Sequence, residues 1–163
     1  MVAASRSISR QHRAALFAGA VLAGLQPGAA IGPALCAGAN GAGGVTISDT
    51  WVQAVEKPGA DLSMSMTIRN DAEVADALLR VRCSVANFAV KHAIDRGEGA
   101  PAMREIASIP IAASSITILK PDAYHVMLVQ TRQALAAGET FHCSVVFQKA
   151  GTIETEVTVH GLP

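Results

Sequence analysis

From Val45 onward the chain alternates short β-branched or apolar runs with clusters of Gly, Pro, Asn and Asp. The strand-like pieces are "VTISDTWVQAV", "LSMSMTIRN", "ALLRVRCSV", "NFAVKHAI", "SITIL", "YHVMLVQ", "TFHCSVVFQ" and "TIETEVTV". Between them lie "EKPGAD", "NDAEV", "DRGEGAP", "KPDA", "AAGE" and "KAG", which carry the residues that chain reversal needs. No segment shows a sustained 3.6-residue apolar stripe; "RQALAAG" comes nearest, at about one turn. Seven to nine short strands at this spacing predict an all-β fold, a Greek-key β-sandwich or barrel. A parallel sheet would need helical crossovers that the pattern does not supply.

The first 39 residues follow a different rule. "SRSISRQHR" is basic, "AALFAGAVLAGL" is apolar, and small residues follow up to "AGA", the order of a secretory signal peptide. The apolar run from Ala14 to Leu25 is too short to span a bilayer, which takes about twenty residues. Lipidation at Cys36 is disfavoured because the bulky Leu35 precedes it, so cleavage before Asn40 is expected, with export to the periplasm. The reading is a leader over 1–39, a flexible lead-in over 40–44, "NGAGG", and one domain over 45–163.

Removing residues 1–39 takes three Arg and no acid, leaving ten basic against thirteen acidic residues, a net charge of −3. No basic stripe remains and the aromatic content is low, so nucleic-acid binding has no footprint, nor does stable membrane insertion. Cys36 leaves with the leader. Cys83 and Cys143 remain in an oxidising compartment, where a disulfide is the leading reading, with free thiols or thiolate ligation of a soft metal as alternatives.

The candidate chemistry lies in "KHAIDRGEGAPAMREI" and "AYHVMLV". His125 and Met127 are two residues apart in a strand-like piece, so both project to one face while Tyr124, Val126 and Leu128 take the other. His92 shares a face with Phe88, Val90 and Ile94, and Met103 follows a Gly- and Pro-rich loop. Each alone reads as packing or a hydrogen-bonded imidazole. Together they run His92, Met103, His125, Met127, a pattern that resembles the PCuAC family of periplasmic copper chaperones. The resemblance extends through "ISDTWVQA", "MTIRND", "LKPDAYHVMLV" and "ALAAGETFHCSVVFQKAG".

That resemblance implies a cupredoxin-like Greek-key barrel with copper held by His92, Met103, His125 and Met127. It further implies delivery to the CuA-bearing subunit of cytochrome c oxidase or to another periplasmic copper carrier. The chain departs from the family at Ile94, where members often have Met, and at Arg104 and Glu105, where a further Met is frequent; a second copper site is not expected. Two imidazoles and two thioethers form a soft-to-borderline set that suits Cu(I) better than zinc. A blue-copper electron carrier would need a Cys ligand followed closely by His and Met, which "SVVFQKAG" after Cys143 lacks. No enzyme constellation stands out: His142 reads as solvent-facing, and Met64 and Met66 as core. The competing function is an exported structural or interaction β-sandwich without metal.

Overall fold

The computed structural model describes residues 40–97 and 100–162, so the expected leader over 1–39, the expected cleavage point and Cys36 lie outside the described residues. The described chain is all strand and turn. Eleven strands follow in order: β1 (Asn40–Ala42), β2 (Val45–Gln53), β3 (Leu62–Asn70), β4 (Asp76–Cys83), β5 (Ala86–Asp95), β6 (Ala102–Glu105), β7 (Ile109–Ile111), β8 (Ser115–Leu119), β9 (His125–Thr131), β10 (Thr140–Phe147) and β11 (Thr152–His160). No helix is long and apolar enough to cross a membrane among the described residues.

Alternation is the reason these segments are strands. In β10, Phe141, Cys143, Val145 and Phe147 are buried while Thr140 and His142 face solvent; in β11, Ile153, Thr155, Val157 and Val159 point inward and Glu154 and Glu156 outward. A one-residue slip would expose each inward set, so burial fixes the register. Every fully buried Leu, Ile, Val, Phe or Met contributes roughly 1.5–3 kcal/mol. In β2 the inward positions switch from Val45 and Ile47 to Thr50 and Val52. The switch falls at a bulge between Ser48 and Trp51, where Asp49 takes φ 50°, a conformation that Asp tolerates better than branched residues.

The hydrogen-bonded path runs β6-β5-β9-β3-β2-β11-β10-β4-β7, with β1 added to β2 and β8 to β3. All pairs are antiparallel except β11 with β2. β3 is shared between two layers: Leu62–Met64 pairs with β9, and Met66–Asn70 pairs with β8. Two details differ from the sequence reading. Residues 40–42 are not a free lead-in but pair with β2 through a turn at Gly43 and Gly44, both at positive φ. The strand count also exceeds seven to nine, because β1, β6 and β7 are three- or four-residue pieces too short to show a period.

Candidate metal centre

β6, β5 and β9 form a ribbon at one end of the sheet path. In its register His92 lies directly opposite His125, and Val90 opposite Met127. Across the other side of β5, Ile94 lies opposite Met103, and His92 opposite Glu105. Directly opposed residues share a face, and so do residues two apart. All four candidate side chains therefore project from one face. The local cause is visible in β9, where Val126 and Leu128 are fully buried on the core side and turn His125 and Met127 to the other.

His125 is 2% exposed and forms the floor of the site. Its Nδ1 lies 3.1 Å from the carbonyl oxygen of Ala123. A carbonyl only accepts, so the proton sits on Nδ1 and, in the neutral ring, Nε2 carries a lone pair. That Nε2 is 3.2 Å from Sδ of Met103. Two electron-pair donors thus meet with no hydrogen between them, an arrangement that a soft cation satisfies.

The ring of His92 lies 5.4 Å from that of His125, centroid to centroid, tilted by 44°. Nδ1 of His92 is buried without a hydrogen-bond partner among the described residues. Leaving such a group unpaired costs about 1–3 kcal/mol, so its position calls for a ligand role or another explanation. Burial, aided by repulsion from His125 and opposed by Glu105, holds His92 below the ordinary imidazole value of 6.5. Its lone pair is consequently free at neutral pH.

Met103, 56% exposed, stands at the rim. Met127 is half-buried on the same face, one strand repeat from His125, between Val90 of β5 and Ser63 of β3. The structure brings His92, Met103 and His125 together and leaves Met127 alongside. Among the described residues no three of His, Cys, Asp and Glu gather into a cluster, so the donors here are imidazole and thioether. Such a set fits a soft monovalent ion better than zinc.

Two neighbours are not legible as site residues in the sequence. Glu105 faces His92, a position implied by the two-residue period from Met103 once β6 is known. Ser63, whose buried hydroxyl has no partner among the described residues, faces Met127 only through the β3–β9 register, for which no local signal exists. Elsewhere, Cys83 and Cys143 face each other across β4 and β10 with their sulfurs bonded, so neither offers a thiolate. Met64 and Met66 are fully buried, His142 is exposed, and His160 stacks on Trp51 at 4.9 Å between ring centroids.

A family model described as "Putative lipoprotein LpqE-like" matches residues 45–159. Among solved structures, the chain is similar to the copper-bound PCuAC domain from PmoF2, with 21% identity, a TM-score of 0.65, and 74% of this chain and 96% of that one covered. It is likewise similar to the apo PCuAC domain from PmoF1, at 20% identity and a TM-score of 0.64 over 74% and 97%. CuI-DR1885 from Deinococcus radiodurans gives 24% identity and a TM-score of 0.57 over 68% and 74%. No curated protein matches. These likenesses show a common fold, the cupredoxin-like architecture expected from the sequence.

Proposed function

The chain belongs to the LpqE-like family, and with that membership and the site geometry as premises we propose that it is an exported copper carrier. It binds Cu(I) through His92, Met103, His125 and Met127 and hands the ion to the CuA-bearing subunit of cytochrome c oxidase or to another periplasmic copper carrier. The observation that carries this reading is the approach of His125 Nε2 to Met103 Sδ with Nδ1 already engaged by Ala123. The copper named in two of the similar structures supports it.

Ligand chemistry suits a carrier rather than a catalyst. Thioethers carry no proton and no charge, so they hold Cu(I) without the electrostatic grip of a thiolate. Met103 at the rim is the ligand that an acceptor reaches first, while His125 retains the ion from below; stepwise exchange follows from that gradient of exposure. Against a blue-copper electron carrier stands the bonded state of Cys143, which removes the thiolate such a centre requires.

The deciding experiment is a Cu(I) titration of the protein against a competing chelator. One equivalent bound, with loss of affinity on His125→Ala and on Met127→Ala, is the expected result. Absence of stoichiometric binding would favour a structural or interaction module instead. The leader is proposed to be cleaved before Asn40; the family description brings Cys36 back as a rival, and the mass of the exported chain separates the two. A lipid-modified N-terminus at Cys36 would overturn cleavage at Asn40.

A further inference from the structure

β4 and β5 are consecutive, joined at Ser84 and Val85, yet no ladder links them. β4 pairs with β10 along one edge, and β7 meets its other edge only from Asp76 to Leu78. β5 pairs with β9 along one edge, and β6 meets its other edge only from His92 to Asp95. Leu79–Cys83 and Ala86–Lys91 are left with one edge each that no described strand takes. The carbonyl of Lys91 is engaged by the Ile106 N–H at 2.9 Å, at the far end of this stretch.

Between the two edges lies a cavity of about 690 Å³, lined by those two runs without a gap and by Arg132. Side chains alone would contribute every second residue of a strand; unbroken runs mean that the walls are the strand edges themselves, with their outward N–H and C=O groups. Such an edge is a template for another strand.

Its charge is one-sided. Arg80, Arg82, Lys91 and Arg132 line the cavity, and no Asp or Glu does. None of the four joins an ion pair among the described residues. Arg132 instead donates from Nε to Asn87 at 2.9 Å. Four of the ten basic residues beyond position 39 thus gather at one seam of a segment whose net charge is −3. Leu79 and Phe88, 40% and 61% exposed, add apolar surface.

We propose that this seam is a docking slot for an extended acidic segment of a partner protein. The segment adds as a strand to the free edges of β4 and β5 and sets its carboxylates against Arg80, Arg82, Lys91 and Arg132. The chain's own residues 1–39 are excluded as occupant by charge, since they carry three Arg and no acid. Nucleic acid is disfavoured because the slot offers backbone pairing and a single exposed aromatic ring rather than a stacking platform. Lys91 directly precedes His92, so an occupant would lie beside the candidate metal centre, although the inference does not depend on copper.

The test uses the full metal-free chain and a fluorescent hexapeptide alternating Val with Glu, followed by anisotropy and by amide hydrogen exchange. Expected are binding that weakens about tenfold or more on Arg80→Glu with Arg82→Glu, and a similar loss in high salt. Protection should appear at residues 79–83 and 86–91. A peptide with Lys in place of Glu, and one N-methylated at alternate amides, should each bind about tenfold more weakly or worse. These peptide controls do not depend on how the double variant folds. Equal binding of either control peptide, equal binding of a single-stranded oligonucleotide, unprotected edges, or no binding of the acidic peptide would each overturn the proposal. Copper titration is a separate measurement, so failure of one reading leaves the other standing.

Discussion

Replacing one of two methionines separates the proposed ligand from a core residue. Met103 and Met64 carry the same thioether, but Met103 is 56% exposed on β6 and Met64 is fully buried on β3, opposite Val126 on the core face. Complete burial of a Met side chain is worth about 1.5–3 kcal/mol, so Met103→Ala, with under half of that burial to lose, should cost about 1 kcal/mol or less. At about 4 °C per kcal/mol, its thermal midpoint should fall by about 4 °C at most. Met64→Ala leaves a cavity in the core and should cost about 2–5 kcal/mol. Copper affinity should invert that order. Loss of a group behind a ligand already weakens metal binding about 10–100-fold, so loss of a direct ligand should reach about 100-fold, or about 2.7 kcal/mol. Chelator competition with Cu(I) and thermal melts of both metal-free variants measure affinity and stability independently. If Met103→Ala bound copper as tightly as the parent, the rim thioether would not be a ligand and the reasoning from its contact with His125 would fail.

Three further outcomes are expected. With burial, then His125, holding His92 below 6.5, its imidazole stays neutral as pH falls past the point where an ordinary histidine is half-protonated. Its share of copper binding should fade only at lower pH. The same depression means that the metal-free fold loses stability as pH drops from 6.5 towards the folded value, because the unfolded chain takes up the proton first. An NMR titration finding His92 at or above 6.5 would contradict both. Reducing Cys83–Cys143, which spans 60 residues, should cost about 4 kcal/mol on the chain-entropy account and leave copper affinity nearly unchanged; a melt under reductant checks it. Asp76 is buried, which alone would raise its pKa, yet N–H groups of Ala150, Ala77 and Lys149 donate to it and bring it below 3.8. Its stabilisation is therefore present above that value and lost as pH falls through the folded pKa. Asp76→Asn should cost about 1–3 kcal/mol and flatten the acid limb of a denaturant series, since an amide NH₂ cannot accept from a backbone N–H.

The parts of the candidate centre are held differently. His125 is fixed from one side by Ala123 and sits on the packed layer of Val126 and Leu128, whereas Met103 belongs to a four-residue strand whose residues are all exposed. On the proposed reading, a packed nitrogen and an exposed sulfur would give retention and release in the same centre.

The class of the fold and the residue types of the candidate centre are legible in the linear pattern of residues. A two-residue period is written locally, so "YHVMLV" already turns His125 and Met127 away from Val126 and Leu128, and "LSMSMTIRN" already buries Met64 and Met66. Strands of three or four residues carry too little period to be read, which is why β1, β6 and β7 emerge only in the folded chain. Register is another matter, because it couples positions far apart and depends on which buried set locks against which. Long-range pairing sets His92 against His125 rather than a neighbour two residues away, Ser63 against Met127, and Glu105 against His92. The unpaired edges of β4 and β5 are likewise invisible in one dimension, where the two segments show only as successive strand-like pieces. Their partners along the sheet path lie elsewhere, and the seam is what that long-range pairing leaves between them.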